Sequence, residues 1–195
     1  NRTFDKTNLE IYNQQLADFG TKIYLKRKSF VQQFVEVFQK RYVQILGLSK
    51  ENKSEEIDLI YDSPLHEKEL IAILMENESK DKLLQYTSSG VHRDDLCFHL
   101  AGFPIKKFGS QGQQKSLLIA LKLAQFDFIK TQCKVNPILL LDDIFDKLDN
   151  ERVEKLIRLV TADYFGQVIV TDTDDRRMAE LFNSLNIEKI SYIKP

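Results

Sequence analysis

At 195 residues the chain is long enough to bury a substantial core in one or two domains. Its 28 basic and 29 acidic side chains nearly cancel, and no apolar run approaches the roughly 20 residues of a membrane-spanning helix. Cys97 and Cys133 lie far apart without metal-ligand spacing, which predicts reduced core residues and argues against a disulfide or a zinc site. With no signal-peptide pattern either, we expect a cytoplasmic protein without a membrane partner.

The first predicted element is a long helix or helical hairpin from about Asn8 to Leu48. Gly20 is a candidate break between two helices. Because the chain opens on Asn1 without an initiator Met and enters this helix at once, we expect an excised fragment. Apolar residues recur at spacings near three, four and seven, as in an amphipathic helix, and we interpret this stripe as core. It consists of Leu16, Phe19, Ile23, Phe30, Phe34, Phe38, Tyr42 and Ile45.

The same segment carries a basic surplus. Residues 1–50 hold nine Lys or Arg against four Asp or Glu. One interpretation is a solvated helix face. The other is a surface that contacts nucleic acid or an acidic partner. The candidate DNA contacts are Lys22, Lys26, Arg27 and Lys28.

A domain boundary is predicted near Gly90. Ile57–Tyr61 has the pattern of a strand and ends at the breaker Asp62-Ser63-Pro64. Helical periodicity resumes from His66 to Gln85, and a Thr/Ser/Gly loop follows it. The predicted division is a helical domain of residues 1–86 and a second domain of residues 87–195.

Helices and strands alternate after this boundary, which indicates a mixed α/β fold. The Ile138–Leu141 and Val168–Val170 runs are apolar throughout, as in strands buried inside a parallel sheet. A turn is predicted at Ala101–Pro104. The other predicted elements are strands at 96–100 and 187–193 and helices at 116–129, 153–160 and 176–185.

The Ile138–Leu141 strand ends at Asp142 and Asp143. The carboxyl end of such a strand is where open α/β sheets bind ligands. One carboxylate there can hold Mg²⁺ and the next can orient an attacking water. Four apolar residues and an Asp also occur by chance in many cores, so this pattern is weak when it stands alone.

A second pattern strengthens the first. Ser110-Gln111-Gly112-Gln113-Gln114 precedes the apolar helix, and a helix N-terminus that begins with a hydroxyl and backbone N–H groups is an anion site. Ordinary N-capping explains the same residues. Along the chain this segment is followed by an apolar strand, then by Asp142-Asp143 and then by Asp146–Asp149. This order favours a nucleotide site over helix capping and a chance apolar strand as separate explanations.

Taken together, these segments resemble the ABC-type ATPase heads. Phe108–Gln114 resembles their signature motif, Ile138–Asp143 their Walker B strand and Asp146–Asp149 their D-loop. Two further segments, Gly90–Leu96 and Thr171–Asp174, are similar to the RecF family of recombination mediators, which is related to SMC proteins. The resemblance implies a helical arm domain followed by the C-terminal lobe of an ABC-type P-loop ATPase head.

The resemblance also implies roles for single residues. Asp142 is the Mg²⁺ ligand and Asp143 the catalytic carboxylate. The γ-phosphate of ATP held by the other subunit meets the signature residues, and Asp149 lies at the dimer seam. The implied nucleotide contacts are Ser110, Gln111, Gly112, Gln113 and Asp149.

None of the seven glycines begins a Gly-x-x-x-x-Gly-Lys-Ser/Thr loop, the Walker A cradle for phosphates. We therefore expect this chain to be inactive alone and the full-length protein to be a slow ATPase. The resemblance implies an ATP-driven homodimer that binds double-stranded or gapped DNA and acts with mediator proteins such as RecR in gap repair and recombinase loading. The alternatives are the head of another SMC-like ATPase, or a non-catalytic protein-interaction module.

Overall fold

A computed structural model describes residues 6–47, 57–142, 148–172, 175–185 and 191. Helices dominate the described part of the chain, and its strands are short. The helices are α1 (Lys6–Leu46), α2 (Leu70–Leu84), α3 (Ile105–Phe108), α4 (Gln111–Cys133), α5 (Asn150–Val160) and α6 (Asp175–Ser184). The strands are β1 (Ile57–Asp62), β2 (Asp95–Leu100), β3 (Phe103–Pro104), β4 (Leu139–Leu141) and β5 (Val168–Val170).

Helix α1 runs without a break for 41 residues, so the predicted break at Gly20 is wrong. The reason is tertiary packing. A Cβ built on Gly20 would lie 2.2 Å from Leu70 Cδ2, and Gly20 therefore lets α2 approach α1 closely. The glycine is used for its small size and does not end the helix.

The contacts divide the chain into two compact units, one of residues 1–35 and 59–98 and the other of residues 36–58 and 99–195. Helix α1 contributes to both. In the first unit its buried face meets the apolar residues of β1 and α2. That core contains Ala17, Tyr24, Val31, Phe34, Leu59, Tyr61, Leu65, Leu70, Ile73 and Leu74. The predicted functional division at residues 86 and 87 stays a prediction.

The second unit is built around α4. Phe38, Tyr42 and Ile45 from α1 are fully buried in this unit. Helix α5 contributes a complete apolar face, and Phe165 fills the space beside Phe126 of α4, with ring centroids 4.9 Å apart. The other core residues include Leu117, Ile119, Ala120, Leu123, Ala124, Leu139, Leu141, Val153, Leu156, Ile157 and Val160.

Two sheets are present in the described residues. The first has the strand order β1-β2-β3, and β2 pairs antiparallel with β3 through His99–Pro104 and Leu100–Phe103. The turn between them uses positive φ at Ala101 and Gly102, as tight hairpins require. In the second sheet β4 and β5 are parallel, with Leu139, Leu140 and Leu141 opposite Val168, Ile169 and Val170. The parallel α/β arrangement predicted for this region is therefore confirmed.

The strands of the parallel sheet are not buried on both faces, contrary to the prediction. Leu139 and Leu141 point into the core, whereas Leu140 is 63% exposed and Ile138 and Ile169 are also exposed. Strand β4 thus has one covered and one bare apolar face. This alternation is the ordinary geometry of a strand, and a uniformly apolar sequence does not reveal it.

Several predicted positions need correction. Helix α2 begins at Leu70, because Pro64–His66 forms a separate 3-10 turn capped by Ser63. Both cysteines are free, but Cys133 is exposed and is not a core residue. In the α1 stripe only the C-terminal members, Phe34 onward, are buried. The predicted strand at 187–193 falls almost entirely outside the described residues.

Candidate nucleotide-binding site

The N-terminus of α4 is held by a capping box. Ser110 Oγ accepts a hydrogen bond from the Gln113 backbone N–H at 3.2 Å, and Gln113 Oε1 accepts one from the Ser110 N–H at 2.9 Å. The capping explanation of these residues is thus confirmed. Capping does not exclude anion binding at this helix end. Ser110 is exposed to solvent, and the backbone N–H groups of the first turn lie at the positive end of the dipole of a 23-residue helix.

The segment before Ser110 is tightly folded. A Cβ on Gly109 would lie 2.6 Å from the Ile105 carbonyl oxygen, so a larger residue cannot replace this glycine without a backbone shift. Gln114 Nε2 donates to the Gly109 carbonyl at 2.9 Å. Together with the short helix α3, these contacts fix the position at which α4 begins. Of the predicted contacts, Gln111 is exposed and Gly112 and Gln113 are half-buried at this helix end.

Asp142 lies just beyond the carboxyl end of β4, as predicted. Its side chain is exposed, and Oδ1 accepts a hydrogen bond from Thr171 Oγ1, which follows the neighbouring strand β5. The Thr171 backbone N–H also donates to the Leu141 carbonyl at 3.0 Å. Thr171 therefore orients Asp142. Thr171 belongs to the Thr171–Asp174 motif of the sequence, but the motif alone assigns it no role.

The chemistry of this end of the sheet fits Mg²⁺, which prefers carboxylate and water oxygens. Asp142 offers an exposed carboxylate, and its Oδ1 accepts the hydrogen bond from Thr171 Oγ1. The described residues contain no group of three or more metal-ligating side chains. Asp143, the predicted catalytic carboxylate, and Asp146 and Lys147 of the predicted D-loop lie outside the described residues.

Asp149 is the N-cap of α5. Its Oδ1 accepts from the Arg152 N–H at 2.9 Å, and Oδ2 lies 3.3 Å from Arg152 Nε. The side chain is more than half exposed. The predicted seam residue thus begins a helix, as Ser110 does, and both present a partly free polar group to solvent.

The four predicted DNA contacts are all exposed on α1, but they are not equivalent. Lys22 lies over the Phe19 ring and Lys28 over the Tyr24 ring, at 5.4 and 5.7 Å from the centroids. Arg27 instead donates to the Val91 carbonyl at 2.5 Å and to Asp94 Oδ2 at 2.9 Å. Its guanidinium therefore stabilises the fold of the first unit and is less available than the lysines for a ligand.

Asp94 is the centre of a buried polar cluster. Its side chain is almost fully buried, and Oδ2 also accepts from the Tyr61 hydroxyl at 2.5 Å. Burial first, and then the Asp94 carboxylate, raise the pKa of Tyr61 to about 12. The nearby His66 ring bridges the Tyr24 hydroxyl at 2.9 Å and the Tyr61 carbonyl at 2.7 Å. Through Asp94, the Gly90–Leu96 motif thus holds Arg27 of α1, a contact that the sequence pattern does not indicate.

A second buried pair ties α1 to α4, the helix that begins at Ser110. The Arg41 guanidinium binds both oxygens of Asp127, at 2.6 and 2.7 Å. Its flat face lies over the rings of Tyr164 and Phe165, 5.4 and 5.1 Å from the centroids. Burial, then Asp127, raises the pKa of Tyr164. The two members of the ion pair are 86 residues apart in sequence, so no local pattern predicts it.

Over nearly its whole length the chain is similar to known bacterial proteins. The DNA replication and repair protein RecF of Flavobacterium johnsoniae is 51% identical over 184 residues, which cover 94% of this chain and 50% of that protein. The same protein of Parabacteroides distasonis is 44% identical over 185 residues, covering 95% and 49%. The chain is homologous to RecF. It spans about half the length of these curated relatives.

Solved structures agree on the fold. Two structures of the recombination mediator protein RecF in the RecFOR pathway, described as RecF-ATP and RecF-ATPrS, superpose with TM-scores of 0.72 and 0.71. Their sequence identities are 22% and 23%, and the matched part covers 90% and 89% of this chain and 47% of each of those chains. The mixed α/β fold of a RecF head is therefore confirmed for this chain. No family model matches it.

In the described part of this RecF homologue, no helix is long and apolar enough to cross a membrane.

Proposed function

We propose that this chain is the signature-bearing half of an ATP-dependent recombination mediator of the RecF type. The observation that carries the proposal is the 51% identity to RecF over nearly the whole chain. The exposed, capped N-terminus of α4 supports it, because this is the segment that resembles the signature motif. In the full-length protein, ATP bound to one subunit meets Ser110, Gly112 and Gln113 of the other and closes a homodimer.

The role that we propose for each residue follows from the chemistry of its side chain. Asp142, oriented by Thr171, holds Mg²⁺, and the bound ion supplies positive charge to the phosphates. Asp143 orients the attacking water, and Asp149 lies at the dimer seam. A phosphate cradle has to come from outside this chain, because the sequence contains no Walker A loop. The chain alone then does not hydrolyse ATP, and the complete protein hydrolyses it slowly.

The proposed ligand of the closed dimer is double-stranded or gapped DNA in the bacterial cytoplasm, with a mediator such as RecR as protein partner. Lys22, Lys26 and Lys28 are the exposed cations on α1 that support a phosphate contact. The fourth predicted contact, Arg27, also lies on α1, but its guanidinium already donates to Asp94 and Val91. Charge reversal of the three lysines is expected to weaken DNA binding and to flatten its salt dependence.

A hybrid protein provides the main test. This chain replaces the matched half of F. johnsoniae RecF, and ATP-dependent dimerisation is measured by light scattering. The decisive variant is Ser110→Asp. Aspartate caps a helix about as well as serine, so unfolding stability is expected to change by less than about 0.5 kcal/mol. Its negative charge repels the γ-phosphate, however, and ATP-dependent dimerisation is expected to be lost.

The matched control is Thr131→Asp, at the exposed far end of the same helix. It adds the same charge and is expected to leave dimerisation unchanged. Asp143→Asn is expected to keep dimerisation and to remove hydrolysis. Normal dimerisation of the Ser110→Asp hybrid would show that this helix end only caps α4 and would support a non-catalytic module.

A further inference from the structure

The C-terminus of α1 is capped by a side chain from α5. Helix α1 ends at Leu46, and its own last turn contains no basic residue. The cation comes from α5 instead, because Lys155 Nζ donates to the Leu46 carbonyl at 3.4 Å. A lysine beside the last carbonyls of a helix satisfies a free acceptor and interacts favourably with the negative end of the helix dipole. The two residues are 109 positions apart in sequence.

Gly47 leaves room for this contact. It follows α1 with a φ of +67°, and its N–H closes the last turn on the Val43 carbonyl at 2.9 Å. A Cβ at this position would lie 2.1 Å from Lys155 Nζ and 2.5 Å from Lys155 Cε. The lysine side chain thus passes directly over the glycine. Glycine at position 47 permits both the left-handed turn that ends α1 and the approach of Lys155.

Lys155 differs from the two other basic residues of α5. Arg152 pairs with the N-cap Asp149, and Arg158 pairs with the glutamate four residues before it, so both pairs lie within α5 and its cap. Lys155 pairs with Glu151 in the same way but also reaches α1. Its side chain is 31% exposed, compared with 59% for Arg158. Lys155 is therefore placed to couple α5 to the end of α1.

This link lies close to the candidate dimer seam. Lys155 follows Asp149 by six residues, which is about 9 Å along a helix axis. The Asp149 side chain accepts from the Arg152 N–H, and its backbone carbonyl accepts from the Val153 N–H at 3.1 Å. The apolar face of α5 holds the helix in the core, but such contacts are not directional. A directional contact at Lys155 fixes how far α5 slides or turns, and with it the position of Asp149.

We propose that Lys155 is a positioning residue for the dimer seam: through Lys155, the C-terminus of α1 sets the place of Asp149. This role rests on the proposed function, in which Asp149 lies at that seam. Lys155 acts on closure of the dimer through Asp149 and takes no part in nucleotide binding. Its loss therefore weakens the closed dimer and leaves the affinity of each subunit for ATP unchanged.

Amide hydrogen exchange in this chain tests whether Lys155 holds the N-terminal end of α5. In the Lys155→Met variant, the Arg152 and Val153 N–H groups, which both bond to Asp149, are expected to exchange at least about fivefold faster. The Thr161 N–H closes the other end of α5 with a bond of 2.9 Å and serves as the internal reference. Equal exchange of Arg152 and Val153 in the variant and its parent would overturn the proposal.

Two further variants isolate the contact with α1. Arg158→Met is the matched control, because it also replaces a basic residue of α5 and breaks a pair with the glutamate four residues before it. It is expected to leave exchange at Arg152 and Val153 unchanged. Gly47→Asn disturbs the contact from the other side, since asparagine tolerates a positive φ but its side chain displaces the Lys155 ammonium. It is expected to reproduce the effect of Lys155→Met, and the double variant is expected to exchange no faster than either single variant.

The hybrid with F. johnsoniae RecF tests the role at the seam. At saturating ATP, Lys155→Met is expected to raise the dissociation constant of the dimer about tenfold, and Arg158→Met is expected to leave it unchanged. The affinity of the monomer for a fluorescent ATP analogue, measured at protein concentrations too low for dimerisation, is expected to stay the same in both variants. General destabilisation by Lys155→Met would lower both affinities, and that result or an unchanged dimer would contradict the positioning role.

The positioning role and the proposed function fail separately. If the Ser110→Asp hybrid dimerises normally, the proposed function is wrong, whereas exchange at Arg152 and Val153 still reports whether Lys155 holds α5. If Ser110→Asp abolishes dimerisation and Lys155→Met leaves it intact, the proposed function stands and the positioning role is wrong.

Discussion

At the scale of single residues, Arg41 combines an ion pair with Asp127 and contacts with two aromatic rings. Its guanidinium is nearly buried. It donates two hydrogen bonds to Asp127, and its face lies over the rings of Tyr164 and Phe165. A planar group is needed for both kinds of contact, which lysine cannot provide. Arg41 thus determines how the C-terminal part of α1 is fixed against the helix that carries Ser110.

Removal of this side chain is expected to be costly. Arg41→Ala leaves Asp127 without its partner, and we expect a loss of about 3 kcal/mol in the free energy of unfolding. Arg41→Lys keeps the charge but loses the bidentate and stacking geometry, and we expect about 1–2 kcal/mol. Urea denaturation measures both. Arg158→Ala breaks an exposed pair with Glu154 and is expected to cost less than about 0.5 kcal/mol. Equal costs at positions 41 and 158 would contradict this account.

The burial of Tyr61, together with its hydrogen bond to Asp94, predicts a specific dependence of stability on pH. The folded-state pKa of Tyr61 is raised to about 12, from about 10 in an unfolded chain. The folded state therefore keeps the phenol proton at pH values where the unfolded state releases it. The resulting stability is fully present below pH 10 and is lost as pH rises toward 12. At pH 11 the loss is about 1 kcal/mol.

Comparison with Tyr61→Phe isolates this contribution from the titration of lysines and other tyrosines. The variant is expected to be less stable at pH 8, because Asp94 loses a hydrogen bond. Between pH 9 and pH 11 the gap between the two proteins is expected to narrow by about 1 kcal/mol. Thermal or urea denaturation at several pH values measures it, and a gap that stays constant would show that Tyr61 titrates normally.

At the scale of elements, the sequence predicts which segments are helices or strands better than it predicts which of their faces are buried. The helical segment of α1, the strand at Ile57, the parallel pair β4–β5 and the position of Asp142 were all predicted from periodicity and composition. Burial was not. The exposed apolar residues of α1 and of β4 are of the same types as the buried ones, so local sequence cannot distinguish them. The Arg27–Asp94 and Arg41–Asp127 pairs join residues 67 and 86 apart and leave no local signal.

Gly20 shows how a tertiary contact overrides local preference. In an isolated helix, Gly20→Ala would stabilise by about 1 kcal/mol. Here the new methyl group would overlap Leu70 Cδ2, and Leu70 is itself buried. We expect overpacking to exceed the gain, for a net destabilisation of about 1 kcal/mol.

A double-mutant cycle tests the cause. In a Leu70→Ala background the overlap is absent, and Gly20→Ala is expected to become stabilising by up to about 1 kcal/mol. The change of sign, measured by urea denaturation, identifies Leu70 as the residue that requires glycine at position 20. If Gly20→Ala destabilises equally in both backgrounds, the requirement comes from the backbone of α1.

At the scale of the whole molecule, large apolar side chains are exposed on two regular elements of the described part of the chain. One set is on the N-terminal part of α1 and includes Tyr12 and Phe19, and the other is on the bare face of the β4–β5 sheet and includes Leu140 and Ile169. In a protein of about twice the length, further residues are available to cover them. The sheet face is the simpler case, because a parallel sheet with one uncovered side is uncommon in α/β proteins.

Leu139 and Leu140 are adjacent residues of β4 that allow this interpretation to be tested. Leu139 is 4% exposed and Leu140 is 63% exposed. In this chain alone, Leu139→Glu buries a carboxylate without a partner and is expected to destabilise by more than about 3 kcal/mol. Leu140→Glu is expected to change stability by less than about 0.5 kcal/mol and to reduce self-association, because it interrupts an exposed apolar patch. If residues outside the matched half cover this face, Leu140→Glu in the hybrid with F. johnsoniae RecF is expected to become as damaging as Leu139→Glu. Chemical denaturation and light scattering on the four proteins measure these effects. A Leu140→Glu hybrid as stable as its parent would mean that the face stays open in the longer protein.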